Sequence, residues 1–241
     1  MLKRDDALKT VVKITTTKFI PADKEANPIQ TCGTGFFVKQ ETNGKLYIIT
    51  ANHVTRDFNQ STIVEMVGPN NKPIALPLQM LRSNLPIIHH QTADVSAIEI
   101  DVNIFNGVGS NVIIFGSSLI QSPLIANLSR DAELTCIGFP NGLGTGTIFQ
   151  PLSFRSFPSS NILPSFKGLS GGYVSDIFIL EDPSCGGYSG CPVIDLGYLV
   201  NGGITQSKDT IIYGVMHGTI SDNTGGKMAV VTPAYYILQI I

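Results

Sequence analysis

Charge is scarce in this chain of 241 residues: Asp, Glu, Lys and Arg together make up 14% of it, and the formal net charge is −2 at neutral pH. Basic residues form no run beyond Lys3-Arg4, which leaves no electrostatic footprint for nucleic acid or an anionic membrane surface. No stretch reaches the roughly 18 consecutive apolar residues that a membrane-spanning helix needs. Cysteine is sparse too. Cys32, Cys136, Cys185 and Cys191 are too few for a disulfide scaffold in a chain of this size, and none has the short paired spacing of a zinc site. They read as free thiols that behave as small hydrophobes, and neither a metal nor a cofactor is expected. The opening segment, MLKRDDALKTVVKITTT, interrupts any apolar run with charge and does not read as a secretory signal. These features predict a cytoplasmic or otherwise reducing location, or release from a longer precursor.

Apolar sequence is plentiful. Hydrophobic residues make up 43% of the chain, and they fall in short β-branched runs: KTVVKITT, GTGFFV, LYIITA, STIVEMV, VSAIEI, ELTCIGF, SDIFIL, CPVIDL and IIYGVMH. Glycine, proline and asparagine separate these runs, and helical periodicity is nearly absent. That pattern predicts an all-β barrel or sandwich. Asn43-Gly44 marks a tight hairpin. VTPAYYILQII predicts a short C-terminal helix with Thr232 as N-cap and Pro233 at the first helical position. A polar, glycine- and serine-rich region divides the strand-rich segments into an N-terminal unit at 1–110, a linker at 111–130 and a C-terminal unit at 131–241. The stretch from 141 to 172, dense in Gly, Ser and Pro, predicts long surface loops.

Three segments carry residue types suited to nucleophilic acyl transfer. A serine hydroxyl is a weak nucleophile near neutral pH and needs a base to take its proton. Histidine suits that role because free imidazole titrates near there. The imidazolium then needs a carboxylate, and the oxyanion needs fixed N–H donors. IITANHVT ends a strand in a turn bearing His53, ADVSAIEI places Asp94 just before a strand, and GGYSGCPV supplies Ser189 on a glycine-rich turn. Gly187 lets the N–H groups of Gly187 and Ser189 converge, and Gly190 keeps side-chain bulk away from the serine.

The order His53, Asp94, Ser189 on a β-rich chain resembles the chymotrypsin-like, or trypsin-like, serine peptidase family. TCGTGFFV, TANHV, DVSAI, CIGFPNG, GGYSGCPV and YGVMHG carry the resemblance, from about residue 11 to the C-terminus. It implies two packed six-stranded antiparallel β-barrels, a short terminal helix and a cleft between the barrels. It further implies an endopeptidase acting on polypeptide substrates through an acyl-enzyme. His53 would be the general base, Asp94 its orienting acid, Ser189 the nucleophile, and the Gly187 and Ser189 N–H groups the oxyanion hole.

Departures from the family pattern matter as much. Tyr188 stands where the secreted digestive enzymes have an aspartate paired with a new N-terminus, so packing or substrate must hold the oxyanion loop here. Val54 follows the histidine where a cysteine is usual, which places the chain nearer the bacterial, viral and HtrA-like branches. Pro183 falls at the base of the primary pocket and argues against a preference for Lys or Arg. Ser184, His217 and Thr219 are candidate pocket residues for Glu or Gln; His217 could equally face the acid or be structural. His89-His90 is a poor chelating pair because neighbours on an extended segment point apart. Asp101 is a rival acid, and Cys191 lies too far along to replace Ser189. The competing class is a non-catalytic or latent peptide-binding module on the same fold.

Overall fold

The computed structural model of the chain describes residues 1–18, 28–123, 128–167, 172, 174–201 and 204–241. Parts of the expected linker and of the expected long loop before 172 lie outside the described residues. Each apolar run picked out in the sequence forms a strand. The first half carries β1 (Val11–Lys18), β2 (Ile29–Lys39), β3 (Leu46–Thr50), β4 (Ile63–Val67), β5 (Pro73–Pro77), β6 (Ile87–His89), β7 (Ser96–Ile100) and β8 (Phe115–Gly116). The second carries β9 (Leu134–Gly138), β10 (Leu152–Ser156), β11 (Leu163–Phe166), β12 (Ser175–Leu180), β13 (Pro192–Asp195), β14 (Tyr198–Asn201), β15 (Ile204–Ser207), β16 (Ile211–Ser221) and β17 (Lys227–Pro233). Four short helices interrupt the first half: α1 (Arg4–Ala7), α2 (Asn52–Thr55), α3 (Leu78–Arg82) and α4 (Val102–Gly107).

Strand order is β5-β4-β1-β2-β3-β7-β6 in one sheet and β10-β9-β13-β16-β17-β12-β11 in the other, with β14–β15 a separate hairpin. Pairing is antiparallel throughout, except that β8 runs parallel along β2. Two antiparallel sheets are therefore present as expected, though the strand count differs from six. Each path has seven strands, and neither closes on itself among the described residues. Proline explains the ends: Pro73 and Pro77 bracket β5 and Pro164 lies in β11, and a residue without an N–H is tolerated on an edge strand.

The Asn43-Gly44 turn joins β2 to β3 as expected, with Gln40 N–H donating to the Lys45 carbonyl at 2.9 Å. The C-terminal expectation needs correction. Thr232 is still in β17, opposite Val215, so its backbone serves the ladder and not a helix start. After Pro233 the chain makes a tight 3-10 turn over Ala234–Gln239.

Period-two alternation sorts β2 between two cores. Phe36 and Val38 join Ile137, Phe139, Ile194 and Val215 in a cluster shared by the two sheets. Phe37, on the other face, packs with Ile48, Met66 and Ile98 inside the first sheet. The N-terminus is tied across as well, Leu2 N–H donating to the Leu196 carbonyl at 2.9 Å. Among the described residues no helix is long and apolar enough to cross a membrane.

Phe139 is fully buried in the shared cluster and meets Phe149 edge to face at 5.5 Å. Phe139→Ala should lower the unfolding free energy by about 3–5 kcal/mol, read from urea denaturation; a loss under about 1 kcal/mol would mean that the two sheets do not share this core.

Candidate active site

Pairing between β3 and β7 puts Thr50 opposite Ser96, so the end of one strand meets the start of the other. His53 follows the first on α2, and Asp94 precedes the second. A buried polar network stitches the two segments together. Ser96 Oγ donates to Asn52 Oδ1 at 3.1 Å, and Thr55 Oγ1 donates to the Asn52 carbonyl at 2.7 Å. On the Asp94 side, His90 Nδ1 accepts from the N–H groups of Thr92 (3.1 Å) and Ala93 (2.9 Å) and shapes the turn.

Asp94 is fully buried. Its Oδ1 accepts the His53 backbone N–H at 2.8 Å, and its Oδ2 lies 2.7 Å from His53 Nδ1. Both the backbone and the ring of His53 are thereby fixed by one carboxylate, and the Nδ1–H tautomer leaves the Nε2 lone pair free. His217 Nδ1 also approaches Asp94 Oδ2, at 2.5 Å. Burial alone would push the Asp94 carboxyl up. The hydrogen bonds and charge of His217 and His53 outweigh it and hold the group below the usual carboxylate range.

Ser189 comes from the other sheet, on the turn before β13. Its carbonyl accepts Thr34 N–H at 2.8 Å, and Gly190 N–H donates to the Met216 carbonyl at 2.8 Å. Thr34 Oγ1 donates to the Gly187 carbonyl at 2.7 Å and accepts Phe139 N–H at 3.2 Å. Gly187 (φ +96°) and Gly190 (φ +85°) both occupy the left-handed region. A Cβ on Gly187 would collide with the Phe139 carbonyl, and one on Gly190 with the Thr34 carbonyl and Thr50 Oγ1. Glycine is required at both positions. Among the described residues, neither Gly187 N–H nor Ser189 N–H has an acceptor. Tyr188 is buried, its ring edge to face with Phe154 at 5.0 Å, so packing holds the loop where the digestive enzymes use a charge.

His53 and Ser189 line one cleft of about 220 Å³, together with Ile14, Thr16, Thr31, Cys32, Gly33, Val54 and Asp57. The Ser189 hydroxyl donates to the His217 carbonyl at 3.2 Å. His217 does not line a pocket wall with Ser184 and Thr219: its ring is buried on Asp94. A β-bulge between Met216 and Gly218 shifts the alternation of β16 at this point. Thr219 Oγ1 donates to the Ser184 carbonyl at 2.8 Å, Ser184 is buried, and Pro183 is exposed. His89 and His90 part as expected, His89 Nδ1 meeting Ser96 Oγ at 2.9 Å while His90 Nε2 meets Gln239 Oε1 at 3.0 Å. Asp101 caps α4 by accepting from Asn103 and Ile104 N–H. All four cysteines are free thiols.

The ligand-type atoms of His53, Asp94 and His217 lie within 4.8 Å of one another. A cation there would have to displace the contacts that both Nδ1 atoms make with the carboxylate, so the cluster is better suited to holding protons than a metal. Thr34 and Asn52 were not singled out in the sequence, and His90 was read there only as half of a poor chelating pair. Their partners are set by strand pairing and turn geometry, which leave no local signal.

The sequence matches no family model and no curated protein. The fold does have solved counterparts. The MamO protease domain from Magnetospirillum magneticum, in its apo form, aligns with a TM-score of 0.59 at 14% identity, covering 96% of this chain and 95% of that one. The Rv3671c protease from M. tuberculosis, in its active form, gives 0.53 at 18% identity, covering 96% of this chain and 79% of that one. The chain has the chymotrypsin-like protease fold.

Two measurements check this geometry. Because the Asp94 carboxyl is depressed in the folded state, the stability it contributes is complete above about pH 4 and is lost as the pH falls below that. Urea titrations at pH 6, 4 and 3 should show the gap between wild type and Asp94→Asn narrowing as acid is added. Thr34→Val removes the hydroxyl that serves both Gly187 and Phe139 and should cost about 1–3 kcal/mol; a neutral result would show that the loop is held by other contacts.

Proposed function

We propose that this chain is a serine endopeptidase that cleaves peptide bonds through an acyl-enzyme. The observation that carries the reading is the buried Asp94 carboxylate, bonded to both the backbone and the ring of His53, which faces the same cleft as Ser189. In the forward step His53 Nε2 takes the Ser189 proton as Oγ attacks the substrate carbonyl. The Gly187 and Ser189 N–H groups, with no acceptor of their own, suit the oxyanion that forms. His53 then protonates the leaving amine, and water releases the acyl group by the same route in reverse.

The proposed chemistry requires the Ser189 hydroxyl to turn about Cα–Cβ from the His217 carbonyl toward the base, a change between staggered wells. Hydrogen bonds of this kind often tighten only when substrate binds. Thiol chemistry is disfavoured: burial pushes the Cys32 thiol up, and burial followed by the contact with Cys136 does the same for Cys191.

One observation favours the latent or peptide-binding alternative, namely the bond of the Ser189 hydroxyl to the His217 carbonyl. Hydrolysis of casein and of a chromogenic ester separates the two readings. Ser189→Ala and His53→Ala should each lower kcat/KM by about 10⁴ or more, and a serine-directed phosphonate should label Ser189. Activity of the wild type should climb with pH across about 5 to 8, the span in which an imidazole loses its proton. Equal rates from wild type and Ser189→Ala would establish the binding module instead.

A further inference from the structure

The Ser189 turn leans on a neighbouring turn from its own half of the chain, and that neighbour is gripped from the other half. Asn141 N–H, in the tight turn Pro140–Gly142, donates to the Gly186 carbonyl at 2.7 Å. A trans peptide unit is planar, so its carbonyl and its N–H point opposite ways. Holding the Gly186 carbonyl toward Asn141 therefore turns the Gly187 N–H away from it. With glycine on both sides of this peptide bond, no Cβ hinders rotation of the plane. Among the described residues, the bond from Asn141 is the one hydrogen bond this peptide unit makes.

The grip comes from Lys13 on β1. Glu65 of β4 lies opposite Lys13, and Lys13 lies opposite Thr34 of β2, so the three side chains share a face. Glu65 Oε2 holds the Lys13 ammonium at 3.1 Å, and the same Nζ donates to Thr145 Oγ1 at 2.7 Å, across 132 residues of chain. The two charged side chains are only 14% and 19% exposed, which limits screening of the pair by salt. Cys32, on the same face of β2, adds a weak contact to the Phe139 carbonyl at 3.9 Å. The turn needs such support, because Asn141 carries a Cβ and yet sits at φ +51°, in the left-handed region.

We propose that Lys13 is a positioning residue of the peptidase site: through Thr145 it fixes the turn whose Asn141 N–H orients the Gly186–Gly187 peptide, and so aims the Gly187 N–H at the oxyanion. The consequence for turnover rests on the peptidase reading; the clamp on the turn does not. Lys13 itself stands outside the cleft that His53 and Ser189 line, and its charge acts one step behind the neutral contacts of the Ser189 turn. A donor aimed at the oxyanion acts in the transition state and not in ground-state binding. Loss of the clamp therefore lowers kcat and leaves KM nearly unchanged.

The test compares wild type with Thr145→Val, Thr145→Ser and Lys13→Met. Thr145→Val removes only the hydroxyl and leaves the Lys13–Glu65 pair in place, so it decides the matter if the unpaired Glu65 of Lys13→Met prevents folding. Kinetics on a chromogenic ester give kcat and KM. Amide hydrogen exchange, read by NMR on labelled full-length protein, compares the Asn141 N–H with the amides of β3. In Thr145→Val and Lys13→Met, kcat should fall about tenfold or more, with KM changed by less than about threefold. The Asn141 amide should exchange about tenfold faster or more while the amides of β3 keep their protection. Thr145→Ser should recover most of both losses. In an active protein, a Thr145→Val variant that leaves either kcat or the Asn141 amide unchanged overturns the inference, as does a loss carried by KM. A Ser variant as impaired as the Val variant overturns it too, and so do β3 amides that accelerate as much as Asn141, the mark of general destabilisation. Exchange needs no turnover. An inactive wild type with the expected Asn141 response would overturn the peptidase reading and spare the clamp, whereas an active wild type without that response would do the reverse.

Discussion

A carboxylate with no exposure to water is the constraint around which this site is built. Removing such a charge from solvent costs several kcal/mol unless donors surround it, and Asp94 takes the backbone N–H and the ring of His53, with the His217 ring packed against the same oxygen. Supplying them requires the end of β3, the start of β7 and the bulged middle of β16 to meet at one point. The pairing of Thr50 with Ser96 sets the first two, and the shared core around Phe139 brings the second sheet against them. If any of the three elements shifted, a buried charge would be left short of a partner. The penalty for that is what makes the arrangement specific.

Beside this charged centre, the Ser189 turn is held almost entirely by neutral contacts. Thr34, on β2, spends its hydroxyl, N–H and carbonyl on the Gly187 carbonyl, the Ser189 carbonyl and Thr50 Oγ1 respectively. Tyr188 adds a buried ring against Phe154, with its phenol pushed up by burial and so kept neutral. A loop anchored by hydroxyls and an aromatic ring needs no newly freed amine to take its shape. Its geometry is then largely insensitive to salt, because screening acts on exposed charges and not on buried dipoles.

His53, Asp94 and Ser189 stood out in the sequence because acyl transfer accepts few residue types and each sits where a strand meets a turn; the fold puts the first two in contact and the third on the cleft that His53 lines. The nine apolar runs were legible for a similar reason, since β-branched residues between turn formers have few other uses. What could not be read depends on distance or on register. Thr34 meets Gly187 across 153 residues of chain, and nothing next to Thr34 marks that partner. His217 was left open between the pocket, the acid and a structural place, and a single bulge turns its ring to Asp94, because one extra residue in a strand reverses which face a side chain presents. The ends of the sheets were within reach: the prolines of PIALP already argued for an edge strand. The terminal helix begins at Ala234, as a 3-10 helix, and not with Thr232 as its cap, because a good N-cap residue is also a good strand residue and the ladder with Val215 took it.

These restraints leave one torsion to do the chemistry. The ring and backbone of His53 are both bonded to Asp94, so the base cannot turn away without exposing a buried charge. The main chain of Ser189 is fixed on both sides, by Thr34 at its carbonyl and by the Gly190 N–H that reaches Met216. The serine hydroxyl rests on the His217 carbonyl, and the proposed chemistry requires it to turn to the imidazole. Rotation between staggered wells is fast and changes no packing, so a substrate need only favour that turn to engage the base. On the proposed reading, the surroundings of both side chains are fixed and the serine rotor is the part that must move.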